Sequence, residues 1–350
     1  MQRLAVLLAL LVAVATGPAG ITSAWAGDKI SFGLDWKAEA EYGGYYQALA
    51  TGIYAKHGLD VTIRQGGPQV NHAQLLISGG LDFNICSNSF LALNFVKQAI
   101  PFRTVAAMFQ KDPSVLIAHP NQGNDSFAAL KGKPIMISAD TRIGWWNFLK
   151  AKYGYSDSQI RPYTFNLAPF LADKTAVVQG FLGSEPYSIK QTAGFDPVVM
   201  LVADGGFSGY ASLIATSDKM IADKPDLVQR FVDASIEGWA SYLDGDPAPG
   251  NALILKDNPE MTQALIDYGR SALKKNGILQ AGDAAKDGIG AMTAARWQGF
   301  YDAVKSEGLY PAGMDIAKAY TLSFVDHKVA STIDRKGAGT IDHKVGVAKP

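Results

Sequence analysis

Ile30-Ser-Phe-Gly-Leu34, Leu59-Asp-Val-Thr-Ile63 and Leu81-Asp-Phe-Asn-Ile85 are three short apolar runs that read as β-strands. Between them, Tyr45 to His57 carries a helical pattern stopped by Gly58, and Gln69 to Ser78 carries another stopped by Gly79-Gly80. A further helix is expected over Phe90 to Gln98. Strand, helix, strand, helix, strand at this spacing predicts parallel pairing with right-handed crossovers, which is an α/β fold.

Working outward, Val105 to Phe109 and Val115-Leu-Ile-Ala118 continue the strands. The polar stretch Pro120 to Ser126 then predicts a crossing into a second lobe with strands at Pro134–Ser138, Ala176–Val178 and Pro197–Val202. Ser212-Leu-Ile-Ala215 reads as the return crossing. Helical patterns fill the rest near Pro225–Leu243, Pro259–Lys275 and Asp283–Ser306, with Leu227, Phe231, Ala234, Ile236 and Trp239 on one helix face. The expected division is a first lobe over 27–118 and 212–329, a second lobe over 119–211, and a loose tail over 330–350 where hydrophobic periodicity is lost.

The first residues read as an address. Met1-Gln-Arg3 is cationic, Leu4 to Ala15 is apolar, and Ala24-Trp25-Ala26 places small residues around a cut, so a cleaved signal peptide is expected over 1–26. The apolar run falls short of the ~20 residues that span a bilayer. A soluble, periplasmic mature chain is therefore expected.

Composition narrows the function. A length of 350 residues suits about two domains, and 48% hydrophobic residues against 18% charged argue for an ample core rather than disorder. Lys+Arg and Asp+Glu are both 32, so no positive excess exists to hold a nucleic acid. The single cysteine, Cys86, excludes an internal disulfide framework and Cys-rich metal sites. The chain has no phosphate-cradling loop, no dinucleotide fingerprint and no nucleophile elbow. Its five histidines form no H-x-x-x-H pair. No catalytic residue, metal or cofactor is expected, and binding is favoured over catalysis.

In open α/β sheets a ligand sits beyond the carboxyl ends of the strands. That rule selects Asp35-Trp36 and then Tyr42, Tyr45 and Tyr46 after the first strand, where an indole and phenols offer a stacking wall or ordinary packing. Gly66-Gly67 after the second strand allows close backbone approach or simply a turn. Ser87 and Asn88 after the third strand suit a helix cap or a ligand contact. In the second lobe, Thr141-Arg142 follows a strand, and Arg142 reads as a partner for an anionic group or as a solvated cation. Two adjacent tryptophans, Trp145 and Trp146, point about 100° apart on a helix, so at most one faces the cleft. Gly183-Ser184-Glu185-Pro186-Tyr187 sets a carboxylate at a strand end, an acceptor for an amino group or ring N–H, or else a surface glutamate.

Leu34-Asp35-Trp36, Gly52-Ile-Tyr54-Ala-Lys-His-Gly58-Leu-Asp-Val61 and Ser78-Gly79-Gly80-Leu81-Asp82-Phe83 stand in an order that resembles the NMT1/THI5-like group of periplasmic substrate-binding proteins of ABC importers. That group includes taurine, alkanesulfonate and nitrate binders. The resemblance runs over roughly residues 28–325 and implies two lobes, joined by two crossings, closing on a ligand in the interlobe cleft. The Asp-Trp pair looks like the branch that binds thiamine-pyrimidine precursors, in which a Trp stacks on the heterocycle and a second-lobe Glu pairs with its amino edge. Trp36 and Glu185 fall where those roles would be filled, whereas Glu39 and Glu41 make this loop more acidic than in that branch. The fungal thiamine-pyrimidine synthase of the same fold uses a lysine and a histidine where this chain reads Cys86-Ser-Asn-Ser-Phe90, so its chemistry is not expected.

The expectation is a monomeric receptor that binds a flat nitrogen heterocycle and delivers it to an ABC permease of the inner membrane. A sulfonate or nitrate receptor leaning on Gly66-Gly67, Ser87 and Arg142 is the alternative within binding. An exported hydrolase or lyase is the alternative from another class.

Overall fold

The computed structural model describes residues 27–67 and 70–325; the expected signal over 1–26 and tail over 330–350 lie outside them. The ten strands in chain order are β1 (Asp28–Gly33), β2 (Leu59–Arg64), β3 (Phe83–Asn88), β4 (Phe102–Phe109), β5 (Ser114–Ala118), β6 (Ile135–Ile137), β7 (Ile160–Pro162), β8 (Val177–Phe181), β9 (Val198–Leu201) and β10 (Ala211–Ser217). They form two five-stranded sheets, ordered β2-β1-β3-β10-β4 and β7-β6-β8-β5-β9. β1 pairs parallel with β2 and β3, as the strand–helix spacing predicts. β6 pairs parallel with β7 and β8 in the same manner.

Each sheet also takes one strand that enters from a crossing. β10 lies antiparallel between β3 and β4, and β5 lies antiparallel between β8 and β9. This corrects two boundaries. Val115–Ala118 belongs to the second sheet and not to the first lobe, because its partners are Val177–Gly180 and Val198–Leu201. Ser212–Ala215 lies inside a first-sheet strand, so the return crossing precedes it. Both β5 and β10 are apolar on both faces, and sequence alone does not reveal which sheet such a strand joins.

The crossings are therefore 110–113 and 202–210, and one side chain ties them together. Arg296, on the helix Ala294–Ser306, donates to the Gln110 side-chain oxygen at 3.0 Å, the Gln110 carbonyl, and the carbonyls of Ser208 at 3.0 Å and Gly209 at 3.4 Å. Its guanidinium stands 4.1 Å from the centre of the Tyr210 ring.

Helix boundaries follow local chemistry. The helix expected over Tyr45–His57 is two, Gly43–Ala50 and Ile53–Lys56, because Gly52 adopts φ +71°, a left-handed conformation that ends the first. The pattern over Asp283–Ser306 likewise splits into Ala284–Asp287 and Ala294–Ser306. Ala248–Asp257 is a helix that the periodicity did not indicate. Helix Gly43–Ala50 lies against Pro225–Asp244 at very short range: a methyl group at Gly44 would fall 2.2 Å from the Trp239 ring. Phe231 on that second helix anchors the first-lobe core, 4.2 Å from Phe83 and 5.1 Å from Phe32 between ring centres. No helix among the described residues is long and apolar enough to cross a membrane.

Candidate functional site

The loop that follows β1 is built as a rigid shelf. Gly66 N–H donates to the Trp36 carbonyl at 2.9 Å, Ala38 N–H donates to the Gln65 side chain at 2.7 Å, and the Asn258 amide donates to the Ala38 carbonyl at 2.8 Å. Gly66 is required by space: a Cβ there would lie 2.2 Å from His72 Nε2 and 2.7 Å from the Leu34 carbonyl. It holds the loop, and its role is packing. Gly67, beside it, has φ +147°.

On this shelf sit Asp35, Trp36, Glu39 and Glu41, the last three beside groups of the second lobe. Asp35 accepts a hydrogen bond from the Tyr42 hydroxyl at 2.8 Å. Burial pushes its carboxyl up, while the hydroxyls of Ser87 and Tyr42 and the nearby His72 hold it down. Glu39 is raised well above the ordinary glutamate range, by burial first and then by the charges of Glu41, Glu185 and Asp35; Lys37 opposes. Glu41 is pushed up to about 7 by burial, helped by Glu185 and countered by a backbone hydrogen bond. Glu185, which starts a helix of the second lobe, is also raised by burial. One of its oxygens accepts from the Phe181 N–H at 2.7 Å and from the Ser184 hydroxyl at 2.6 Å, which leaves the other free.

Carboxylates from both lobes thus gather where Trp36 meets the second lobe. Asp35, Trp36, Glu39 and Glu185 retain partial exposure even though three of them are strongly desolvated, which is the condition of groups lining a crevice. Phe165 of the second lobe lies over Trp36 with ring centres 4.7 Å apart, and Tyr163 stands 5.3 Å behind Phe165. The lobes also touch at Tyr187 and Tyr268, 5.3 Å apart, and at Gly183, where an added methyl would fall 1.9 Å from Glu41 Oε1.

The other expected positions divide. Ser87 is exposed beside Asp35, and Asn88 caps the helix Ser89–Lys97 by accepting from Phe90 N–H at 3.2 Å while it helps hold the buried Asp112 carboxylate. Tyr42 lines the site through Asp35. Tyr45 and Tyr46 do not: Tyr45 packs in the core 4.9 Å from Phe32 and 5.6 Å from Trp239, and the Tyr46 hydroxyl donates to Asp257 at 3.0 Å. Tyr42 leaves the 3-10 turn Ala40–Tyr42, whereas Tyr45 and Tyr46 stand on the helix Gly43–Ala50 that packs into the first-lobe core, so the three phenols part company. Thr141 is buried and engaged in the cap made by Ser138. Arg142 is exposed and acts on Asp157, away from the carboxylates. Trp145 and Trp146 are both buried, the second donating to Asp157 at 3.0 Å.

Sequence reading notes Glu39 and Glu41 only as loop acidity and Gly183 only as a neighbour of Glu185, and it does not reach Asp112, Tyr163 or Phe165. The acidity of the 37–42 loop was the available signal for the first two; nothing local marks Phe165, which reaches the site only through the lobe arrangement. Two other cavities, about 290 Å³ against Phe90, Lys97, Asn147 and Tyr310 and about 220 Å³ against Met292 and Thr293, do not touch these carboxylates. No cluster able to hold a metal ion occurs among the described residues.

Comparison with known proteins agrees with this geometry at the level of fold. A riboflavin-binding protein, RibY, of Chloroflexus aurantiacus is 27% identical over 305 residues, covering 85% of this chain and 86% of its own. The periplasmic aliphatic sulphonate binding protein SsuA of Escherichia coli superposes with a TM-score of 0.61 at 14% identity, over 83% of this chain and 91% of its own. The desulfurization enzyme DSZB superposes with a TM-score of 0.54 at 14% identity, over 85% and 98%. The architecture is that of periplasmic binding proteins, a fold that also carries enzymes. The sequence profile described as NMT1/THI5 like matches residues 39–248, the stretch from Glu39 through the whole second lobe and its return, and the chain belongs to that family.

Proposed function

We propose that this protein is a periplasmic solute receptor that closes its lobes on a flat nitrogen heterocycle rich in hydrogen-bond donors and passes it, chemically unchanged, to an ABC permease. The observation that carries the reading is the crevice itself: an aromatic pair, Trp36 and Phe165, flanked by carboxylates contributed from both lobes. Aromatic faces take a planar ring, and carboxylates take the N–H and O–H groups at its rim. An aminopyrimidine of the thiamine-precursor type presents such an edge; a flavin presents a ring N–H and a hydroxylated chain. The relative named for riboflavin supports a planar ring. The expected signal over 1–26 supports export.

Charge weighs against a sulfonate. Two like charges 4 Å apart repel by about 4 kcal/mol at an effective dielectric of 20. Asp35 and Glu185, when ionised, would repel such a ligand, and Arg142 acts on Asp157 instead. A ligand bound from both lobes stabilises the closed form by its differential affinity for it.

Calorimetric titration of the mature chain with riboflavin, an aminopyrimidine and an alkanesulfonate tests this. A heterocycle is expected to bind, to be recovered unchanged, and to bind ~10–100-fold more weakly after Glu185→Gln, the effect of losing a hydrogen bond to a charged group. Binding of the sulfonate alone would overturn the ligand class, and turnover of the bound compound would overturn the receptor.

A further inference from the structure

Glu41 is the most enclosed of the carboxylates at the crevice, 3% exposed, and its Oε1 has no hydrogen-bond partner. Helix Gln263–Lys275 packs on the turn that carries it, and the second lobe closes over its Oε1: Gly183 sits so close that an added methyl would lie 1.9 Å from Oε1 and 3.3 Å from Gly269 Cα. The burial of Oε1 therefore depends on the lobes being together. We propose that the lobes close with uptake of one proton, carried by Glu41 where it meets Gly183. This rests on the reading of the crevice as the ligand site, and it adds a regulation of that site.

The groups around Glu41 leave no other means of neutralising it. Its own loop brings Asp35, Glu39 and Lys37, and Lys37 is paired with Glu260 at 2.6 Å. The second lobe brings Glu185. Helix Pro225–Asp244 brings Tyr242, whose hydroxyl donates to Asn251 at 2.9 Å. Helix Gln263–Lys275 brings Asp267 and Arg270, and Arg270 is engaged with the carbonyls of Tyr242 at 2.7 Å and Leu243 at 2.6 Å. His72 stands near Asp35, and burial pushes its imidazole pKa down while the Asp35 charge opposes. A carboxylate buried among carboxylates, with one oxygen unpartnered and only a backbone N–H to offset its charge, is unfavourable when ionised, and protonation removes the cost. With the lobes apart Glu41 loses the Gly183 cover and the Glu185 charge, and its pKa moves back towards that of an ordinary glutamate.

The direction of the linkage follows. Closure raises the affinity of Glu41 for its proton, from a value nearer the ordinary 4.5 to about 7. Between those values the closed form binds a proton that the open form does not, so the closed population falls as pH rises through that window and levels off above it. From pH 5 to pH 8 the closed-to-open ratio is expected to fall by up to about a hundredfold.

The test needs no ligand. Spin labels on the exposed sites Gln74→Cys of the first lobe and Lys174→Cys of the second report the interlobe distance; Cys86 is buried and stays unlabelled. The wild-type distance distribution should lengthen from pH 5 to pH 8. Glu41→Gln should hold the short distance at both, and Glu185→Gln, which removes the facing charge, should move the midpoint to lower pH. A distribution that does not change with pH, or an undiminished shift in Glu41→Gln, overturns the proposal. Should the pH-dependent closure be present while no heterocycle binds at either pH, the ligand reading fails and the proton linkage stands. Heterocycle binding without that closure fails the linkage alone.

Discussion

Trp36 of the first lobe and Phe165 of the second touch where the lobes meet, ring centres 4.7 Å apart and planes inclined at 50°. Phe165 is 41% exposed and holds φ +63°, a left-handed backbone that costs a non-glycine residue roughly 1–3 kcal/mol. An exposed aromatic kept in an unfavourable conformation against a single partner from the other lobe contributes little to the core. Phe165→Ala is therefore expected to leave the melting temperature within about a degree of wild type. The same change should weaken heterocycle binding ~3–10-fold, the range of one aromatic contact. Trp36→Ala should cost more, about 1–3 kcal/mol of binding, since it removes the larger stacking face. Calorimetric titration beside a thermal melt separates the two effects; a lower melting point with unchanged affinity would return both rings to ordinary packing.

Gly183 sets how closely the lobes approach. Its backbone φ does not require glycine, so the demand is purely one of space against Glu41 and Gly269. Gly183→Ala should hold the lobes apart, weakening ligand binding more than tenfold while each sheet keeps its own core. Glu41→Ala in the same chain removes the obstructing carboxylate and should restore most of the affinity. Non-additivity of that pair in a double-mutant cycle is the decisive reading; additive losses would mean that the contact does not limit closure.

The lobes, their parallel strand pairs and the loops that carry Asp35, Trp36 and Glu185 were legible because each depends on local signals: a short apolar run, a stop at glycine, a residue at a strand end. Where the chain crosses between lobes was misread by several residues. β5 is as apolar as its first-lobe neighbours, and only its pairing with β8 and β9 reveals its sheet. Tyr45 and Tyr46 read in sequence like their neighbour Tyr42, yet they stand on the next helix, Gly43–Ala50, which packs them against Trp239 and Asp257. Phe165 and Gly183 join the site only through a contact between lobes more than 120 residues from Trp36, which no window of sequence contains.

Asp112, on the first crossing, is buried and accepts from the Ser114 N–H at 2.9 Å. Burial raises its pKa above 3.8, assisted by the charge of Asp35 and opposed by Ser114 and Asn88. A carboxyl whose folded pKa is raised contributes stability that is complete below its unfolded value and is lost as pH climbs through the folded one. Asp112→Asn keeps the acceptor for Ser114 and removes the charge. It should melt with the wild type near pH 3 and above it at pH 7. A lower melting point for Asp112→Asn at pH 7 would mean that the ionised form is the one the fold favours.

Arg296 binds both crossings at once, through the Gln110 side chain at 3.0 Å and the Ser208 carbonyl at 3.0 Å, while Tyr210 covers its guanidinium. The two chains that must bend when the lobes move are thereby fixed to one helix of the first lobe, Ala294–Ser306. A planar guanidinium can reach several acceptors together, whereas an ammonium satisfies fewer and with less directional constraint. Arg296→Lys should therefore keep the positive charge and the fold yet loosen the crossings. It should show faster amide exchange at 110–113 and 202–210, with little change in the strands of either sheet. Affinity should fall because the open population rises, with dissociation speeding up while every residue that lines the crevice stays in place. Faster exchange throughout the first lobe would instead make Arg296 a general stabilising residue, and unchanged exchange at both crossings would remove it from the hinge.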